Sequence, residues 1–311
     1  MTPAFDTSID SQETALVGPW RAPRQMLATQ TYEGHASIHD DRTAQSLGFQ
    51  AATIEGPTHF SQFAPLCVAL WGENWFSRGA LSAHYRNPVF EGEETRAIVD
   101  LVDREATQVA IRMEKRDGTE VLRGTASIGR DHPPSALAAR LATLNMPDDL
   151  VILRKVRVGM KTQRMAVRMA AYDHMGDLYP FTLADKLKLI TEPSPRYDHI
   201  VPIEMISVLL NSVARQQPFP ALWPSVGLFA DQEIELVDGP VMVGEDYELE
   251  REVVAISGSR RTESMWVETR LYRSREDAMV ARMLLNTASI KASYQRYDEE
   301  YATLYDAAQR S

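Results

Sequence analysis

Two histidines, a glutamate and two aspartates crowd the stretch Tyr32-Glu33-Gly34-His35-Ala36-Ser37-Ile38-His39-Asp40-Asp41. Such a cluster can be an acid/base loop, a metal cluster or a solvated turn. Histidine changes charge near neutral pH after small environmental shifts, which suits it to moving protons at a reacting carbon or water. His39 is the leading candidate for that work and His35 the second. A zinc centre needs a third strong ligand at a recognisable spacing. HxxxH on a loop also lacks the glutamate of the metalloprotease helix, so no metal is expected.

A second reactive set lies at Ile54-Glu55-Gly56-Pro57-Thr58-His59. A proline there suits the first turn of a helix, whose free N–H groups favour negative charge developing on a substrate oxygen. Gly56 would let a substrate approach the backbone closely. Glu55 is either an acid complementing the helix dipole or a carboxylate base. His59, four residues on, would share its helical face. Glu204 occupies the comparable turn of a later apolar helix. The chain carries no GxGxxG, no P-loop and no Gly-x-Ser-x-Gly elbow.

The elements that must hold these groups repeat along the chain. An apolar helix-like stretch ends near Gly72, and residues 80–129 then alternate as strands with a turn at Asp117-Gly118. Residues 196–216 form a second helix-like stretch, and residues 228–274 a second strand-rich run with a turn near Ser257-Gly258-Ser259. Pro88-Val89-Phe90-Glu91-Gly92-Glu93 returns as Pro240-Val241-Met242-Val243-Gly244-Glu245, and Thr53-Ile54-Glu55-Gly56-Pro57 corresponds to His199-Ile200-Val201-Pro202. The expected organisation is an N-terminal unit over 1–132, a connector over 133–150 begun by Pro133-Pro134, a C-terminal unit over 151–285 and a C-terminal helix over 286–311. The connector should include a helix packed on the sheet. Arg154 to Arg168 reads as the solvated face of a helix or edge strand, with a phosphate landing site as the alternative. The segment from Ala278 onward reads as helical, with Tyr294, Tyr297, Tyr301 and Tyr305 on one face docked on its own core or on a partner subunit.

With 311 residues, 44% hydrophobic and 24% charged, the chain is long enough for two domains of about 150 residues. A net charge of -10 argues against a nucleic-acid surface. The single Cys67 permits no internal disulfide and reads as a small buried hydrophobe. No signal-peptide pattern and no apolar run of about 18 residues is present, so a cytoplasmic location without membrane contact is expected.

Residues 30–130 resemble the MaoC-like hydratase/dehydratase family. The resemblance is carried by His39-Asp40-Asp41, Ala44, Gly48-Phe49, Ile54-Glu55-Gly56 and Tyr85-Arg86-Asn87-Pro88-Val89-Phe90-Glu91-Gly92-Glu93. It implies an α+β double hot-dog: two antiparallel sheets, each wrapping a central helix, fused as a pseudo-dimer. The second half then shapes the pocket and lacks the catalytic signature. The activity implied is addition or elimination of water, or of another β-leaving group, on an acyl thioester. CoA or an acyl carrier would be the substrate handle, with no further cofactor and a homodimer as the candidate assembly. His39, His35, Glu55 and His59 become the catalytic candidates, and Gly56, Thr58, Glu33, Asp41 and Arg86 the substrate-binding ones. The sequence departs from the family where Gly34 stands at the position of the motif's aspartate, with Ala36 and Ser37 in place of Asn-Pro. A hot-dog thioesterase using Glu55 or Glu204 is the first alternative, and a non-catalytic acyl-binding protein the second.

Overall fold

Two buried helices, each begun by a proline, are the axes about which the sheet wraps. The computed structural model describes residues 3–30, 36–101, 103, 105–274 and 276–306. The first axis starts as 3-10 turns over Gly56–Phe63 and continues as an α-helix over Ala64–Trp71 (α2), after the short α1 at Asp41–Ser46. Every residue from Pro57 to Cys67 is buried. A short α3 (Trp75–Arg78) leads into the strands. The connector helix α4 (Ala136–Leu141) is capped by Ser135, and α5 (Leu183–Leu187) by Thr182. The second axis, α6 (Ile203–Asn211), is buried from Ile203 to Leu210 and packs against the first. A helix apolar around most of its circumference has to be enclosed, and both are.

The strands among the described residues form one antiparallel sheet. They are β1 (Asp10–Ser11), β2 (Ala15–Val17), β3 (Gly79–Tyr85), β4 (Thr95–Asp100), β5 (Gln108–Lys115), β6 (Glu120–Ile128), β7 (Met165–Arg168), β8 (Gly227–Leu236), β9 (Asp246–Gly258), β10 (Thr262–Arg273) and β11 (Met279–Ile290). Their order is β1-β2-β4-β5-β6-β3-β8-β11-β10-β9-β7, which reads as the same path outward on both sides of the β3–β8 seam. The chain thus has the double hot-dog architecture, but its two sheets fuse edge to edge into one. At the seam Ala80 pairs with Glu235 and His84 with Asp231. The connector helix α4 covers the seam, packing Leu137 with Trp266 and Leu284 and donating the Leu137 N–H to Ser82 Oγ at 3.0 Å.

The repeated sequence motif is a repeated contact. Ile54 N–H donates to the Val89 carbonyl at 2.8 Å, and Val201 N–H to that of Val241 at 2.8 Å. The bridges Thr53–Phe90 and Ile200–Met242 accompany them. Glu55 (φ -61, ψ 132) and Pro202 (φ -63, ψ 151) hold the same extended backbone before the helix. The turns expected at Asp117-Gly118 and after Gly258 join β5 to β6 and β9 to β10.

One expectation changes, and one is narrowed. The segment from Ala278 is not one helix, because Met279–Ile290 forms β11 in the middle of the sheet, between β8 and β10. Its Met, Ala, Leu and Arg favour helix intrinsically, but strand pairing on both edges overrides that preference. The boundary expected after residue 285 therefore falls inside a strand, and the helix begins only at α7 (Tyr297–Tyr301). The cationic run is an edge strand: Met165–Arg168 pairs only with β9. Four of its six cations lie in ion pairs, Arg154–Glu300, Lys161–Glu252, Arg164–Asp277 and Arg168–Asp173, as a solvated face would have them. Among the described residues no helix is long and apolar enough to cross a membrane.

The tyrosine face docks on its own core. Buried Glu263 accepts from Val151 N–H (2.9 Å), Leu153 N–H (2.8 Å) and the Tyr297 hydroxyl (2.9 Å), while Tyr305 donates to the Leu150 carbonyl at 2.7 Å. Glu263→Ala would strand three buried donors, each worth about 1–3 kcal/mol when unmade. A loss on the order of 3 kcal/mol in urea unfolding is expected, and a change below about 1 kcal/mol would contradict this account.

Candidate active site

The enclosed helix at Gly56–Phe63 carries Thr58, His59, Ser61 and Gln62, and buried polar groups need partners. Gln62 donates to Thr95 Oγ1 at 2.9 Å. Thr58 Oγ1 accepts from Lys186 Nζ at 3.0 Å, and Ser61 Oγ donates to Glu204. His59 Nδ1 has no hydrogen-bond partner among the described residues, and the ring faces a cavity of about 320 Å³. Gly56, Glu55 and His39 line the same cavity. Its walls are mostly apolar, with Leu27, Ile38, Phe49, Leu178 and Phe229 among them.

His39 reaches this cavity from a loop pinned at several points. Asp40 caps α1 through Thr43 N–H at 2.9 Å, Asp41 Oδ1 accepts from Ala52 N–H at 2.8 Å, and Thr53 N–H donates to the Ile38 carbonyl at 3.0 Å. His39 Nδ1 lies 2.7 Å from the Thr53 carbonyl. A carbonyl only accepts, so Nδ1 carries the proton and the basic lone pair is on Nε2. Burial lowers the His39 pKa to about 4, a fall only partly offset by the Thr53 bond. His39 is therefore neutral, and a proton acceptor, at ordinary pH.

Glu55 behaves oppositely. It precedes the first helical turn and is buried; its carbonyl accepts from Thr58 N–H at 3.1 Å, while its carboxyl group makes no hydrogen bond to the described residues. Burial raises its pKa to about 7, with Lys186 pulling downward and Glu204 pushing upward. Burial also drops His59 to about 3, with Lys186 and then Lys115 adding to the fall, so His59 stays neutral. Because the helix starts as 3-10, with about three residues per turn, Glu55 and His59 do not stack at a spacing of four. Both nonetheless open on the same cavity. The ring of Tyr85 covers Gly56: a Cβ there would come within 2.6 Å of it. Tyr85 is in turn fixed by donating to Gln232 Oε1 at 3.0 Å.

The structure thus gathers four of the sequence candidates, His39, Glu55, Gly56 and His59, around one cavity, with Arg86 also on its wall and ion-paired to Glu120 at 3.2 Å. Thr58 and Asp41 are not on that wall. Thr58 faces Lys186, and Asp41 secures the loop. Glu204 is sealed beneath the helix by Lys186, at 3.1 Å, and Ser61. Glu33 and His35 lie outside the described residues. Sequence reasoning missed Gln30, Tyr179 and Asn211 on the cavity wall, the last two hydrogen-bonded at 3.0 Å, and the buried Lys186. The signal available for Lys186 was a lysine in the apolar run Phe181–Ile190 behind a Thr-x-x-Asp capping box.

No family model matches the chain, and no curated protein matches it in sequence. Solved structures match its fold. A Chloroflexus aurantiacus protein assigned as a MaoC domain dehydratase superposes with a TM-score of 0.53 at 15% identity, covering 93% of this chain and 95% of its own. A conserved hypothetical protein of Mycobacterium tuberculosis with a double hot-dog fold superposes with a TM-score of 0.52 at 12% identity, covering 90% and 97%. Likeness at this identity is one of fold.

The Gly56–Tyr85 contact is testable by a double-mutant cycle. Gly56→Ala is expected to destabilise by about 1–3 kcal/mol through overpacking. In a Tyr85→Leu background the same change should cost at least about 1 kcal/mol less. Equal costs in both backgrounds would show that the ring is not what forbids a side chain.

Proposed function

We propose that this chain, with its double hot-dog fold, is a MaoC-like hydratase/dehydratase acting on an acyl thioester or a related small molecule. The observation that carries this is the opposed protonation of two groups on one cavity: His39 held neutral and Glu55 held protonated between about pH 4 and 7. Environments that push two titratable groups apart assign them as base and acid.

In the dehydration direction His39 Nε2 takes the Cα proton of a 3-hydroxyacyl thioester. The electron pair of the broken C–H bond forms the new double bond, and the C–O bond breaks. Glu55 gives its proton to the departing hydroxyl, which leaves as water. Hydration is the reverse, with the Glu55 carboxylate taking a proton from water and the His39 imidazolium delivering it to Cα. The N–H of Gly56, at a helix start without an intrahelical acceptor, faces the developing charge on the thioester oxygen. Apolar walls suit an acyl chain and exclude water, and Leu178, Tyr179 and Asn211 bring the second half into the pocket. Glu55 takes the place of the aspartate that Gly34 replaces. Pro202 and Ile203 occupy the equivalent positions of the second half: proline offers no carboxylate, and the isoleucine side chain fills the space that Gly56 leaves open, so that half has no corresponding site.

Both directions use the state in which the pair holds one proton, so they share one pH profile. kcat/KM should rise as His39 loses its proton near pH 4 and fall as Glu55 loses its own near pH 7. Activity that stays level or rises from pH 6 to 9, or that does not fall off below about pH 4, would be inconsistent with the assignment. His39→Ala and Glu55→Gln should each lower kcat by roughly 10²–10⁴-fold for hydration of an enoyl thioester. The free Glu55 carboxyl also favours a second reading, thioester hydrolysis with Glu55 as base. Release of free thiol that survives His39→Ala but not Glu55→Gln would select it.

A further inference from the structure

Two buried charges set against the helix that Glu55 begins come from the other half of the molecule. Lys186 projects from α5 and Glu204 from the start of α6, with side chains 5% and 1% exposed. Lys186 Nζ lies 3.1 Å from Glu204 Oε1 and donates to Thr58 Oγ1 at 3.0 Å, and Ser61 donates to the other Glu204 oxygen. Thr58 and Ser61 follow Glu55 on the helix that it begins, so the ion pair grips that helix from beneath, on the side away from the cavity. A buried ion pair is a poor choice for stability alone, because desolvation consumes much of its attraction and an apolar pair of similar volume often does as well. Its cost makes sense if the charges act on something nearby.

We propose that Lys186 and Glu204 of the C-terminal half are positioning residues that set which protonation state Glu55 of the N-terminal half adopts. This rests on the role given to Glu55 above. Among the described residues lining the cavity with Glu55, Arg86 is charged but is ion-paired to Glu120 at 3.2 Å, and the remaining titratable groups are uncharged at neutral pH. His59 on its own helix and His39 on the loop are neutral, and Tyr85 on β3 is held un-ionised by burial, with Glu55 and Asp231 nearby adding to the effect. The ammonium and the carboxylate beneath the helix are therefore the charges that decide. Lys186 favours the Glu55 carboxylate and Glu204 opposes it, the lysine being the stronger influence. Together they hold a buried acid close to neutrality, where proton donation and recovery are both fast.

Changing either residue alone should move Glu55 in opposite directions. The probe is the infrared carbonyl band of protonated Glu55 in ¹³C-glutamate-labelled full-length protein, identified by its loss in Glu55→Gln and titrated from pH 4 to 10. Glu204→Gln leaves Lys186 unopposed, so the Glu55 midpoint should fall by a pH unit or more, about tenfold in proton affinity. Lys186→Met leaves Glu204 to take up a proton, so the midpoint should rise. The double variant Lys186→Met/Glu204→Gln should sit at or above wild type, reversing the effect of Glu204→Gln. A purely structural pair would loosen the helix in both single variants and move the band alike or not at all, and either result overturns the proposal. Should one single variant fail to fold, the other still carries a signed expectation. Absence of turnover on any acyl thioester would refute the proposed reaction while leaving the titration to decide the role of Lys186 and Glu204.

Discussion

The segment Pro57–Cys67 is buried on every side yet carries hydroxyl, imidazole and amide side chains, and the rest of the molecule answers that constraint. One hot-dog sheet can wrap a helix but leaves one flank open. Here the open flank is closed by the helix of the second half, so the polar groups on that flank take their partners from across the pseudo-symmetry axis. Thr58 and Ser61 are satisfied by Lys186 and Glu204, neither of which belongs to their own half. The fused sheet matters for the same reason: continuous β3–β8 pairing fixes the two helices against each other to within hydrogen-bond tolerance. Two separately folded units would not hold a 3.0 Å contact between Lys186 and Thr58 so firmly.

Much of this was legible in the sequence. The repeat of Pro-Val-x-x-Gly-Glu before a strand is visible because each copy must do the same local job, with a carbonyl that receives the N–H preceding the central helix. Proline at each helix start and glycine at the turn beyond β5 announce themselves through backbone constraint. The loop that carries His39 to the cavity was visible as far as His39, Asp40 and Asp41, because capping and loop anchoring draw on near neighbours.

What was not legible depends on long-range pairing. Met279–Ile290 looks helical taken alone, and only its two neighbouring strands make it β11. Lys186 looks like one polar residue in a short amphipathic helix, and nothing within ten residues reveals that its ammonium meets a carboxylate 18 positions later. Glu55 illustrates the same limit for chemistry. Its position at a helix start suggests an ordinary dipole-complementing acid, which would be ionised. Burial among Tyr85, the His39 loop and the second half turns it into an acid that keeps its proton to about pH 7.

The divergence of the two halves comes down to a few positions at one structural point. Both have the same extended backbone ahead of the helix and the same carbonyl partner, so the scaffold for a site exists twice. At the first copy the chain places Glu55 and then Gly56, which has no side chain to fill the space under Tyr85. At the second it places Pro202 and Ile203, and the isoleucine is buried in the core. The carboxylate and the open space are both missing there, so no single substitution would reproduce the pair Glu55 and Gly56 in the second copy. In place of a carboxylate at that point, its helix carries Glu204 in the first turn, a charge turned toward its neighbour's helix. Duplication thus supplied both a site and the buried charges beneath it, and the asymmetry between the halves is what allows each to do one of these jobs.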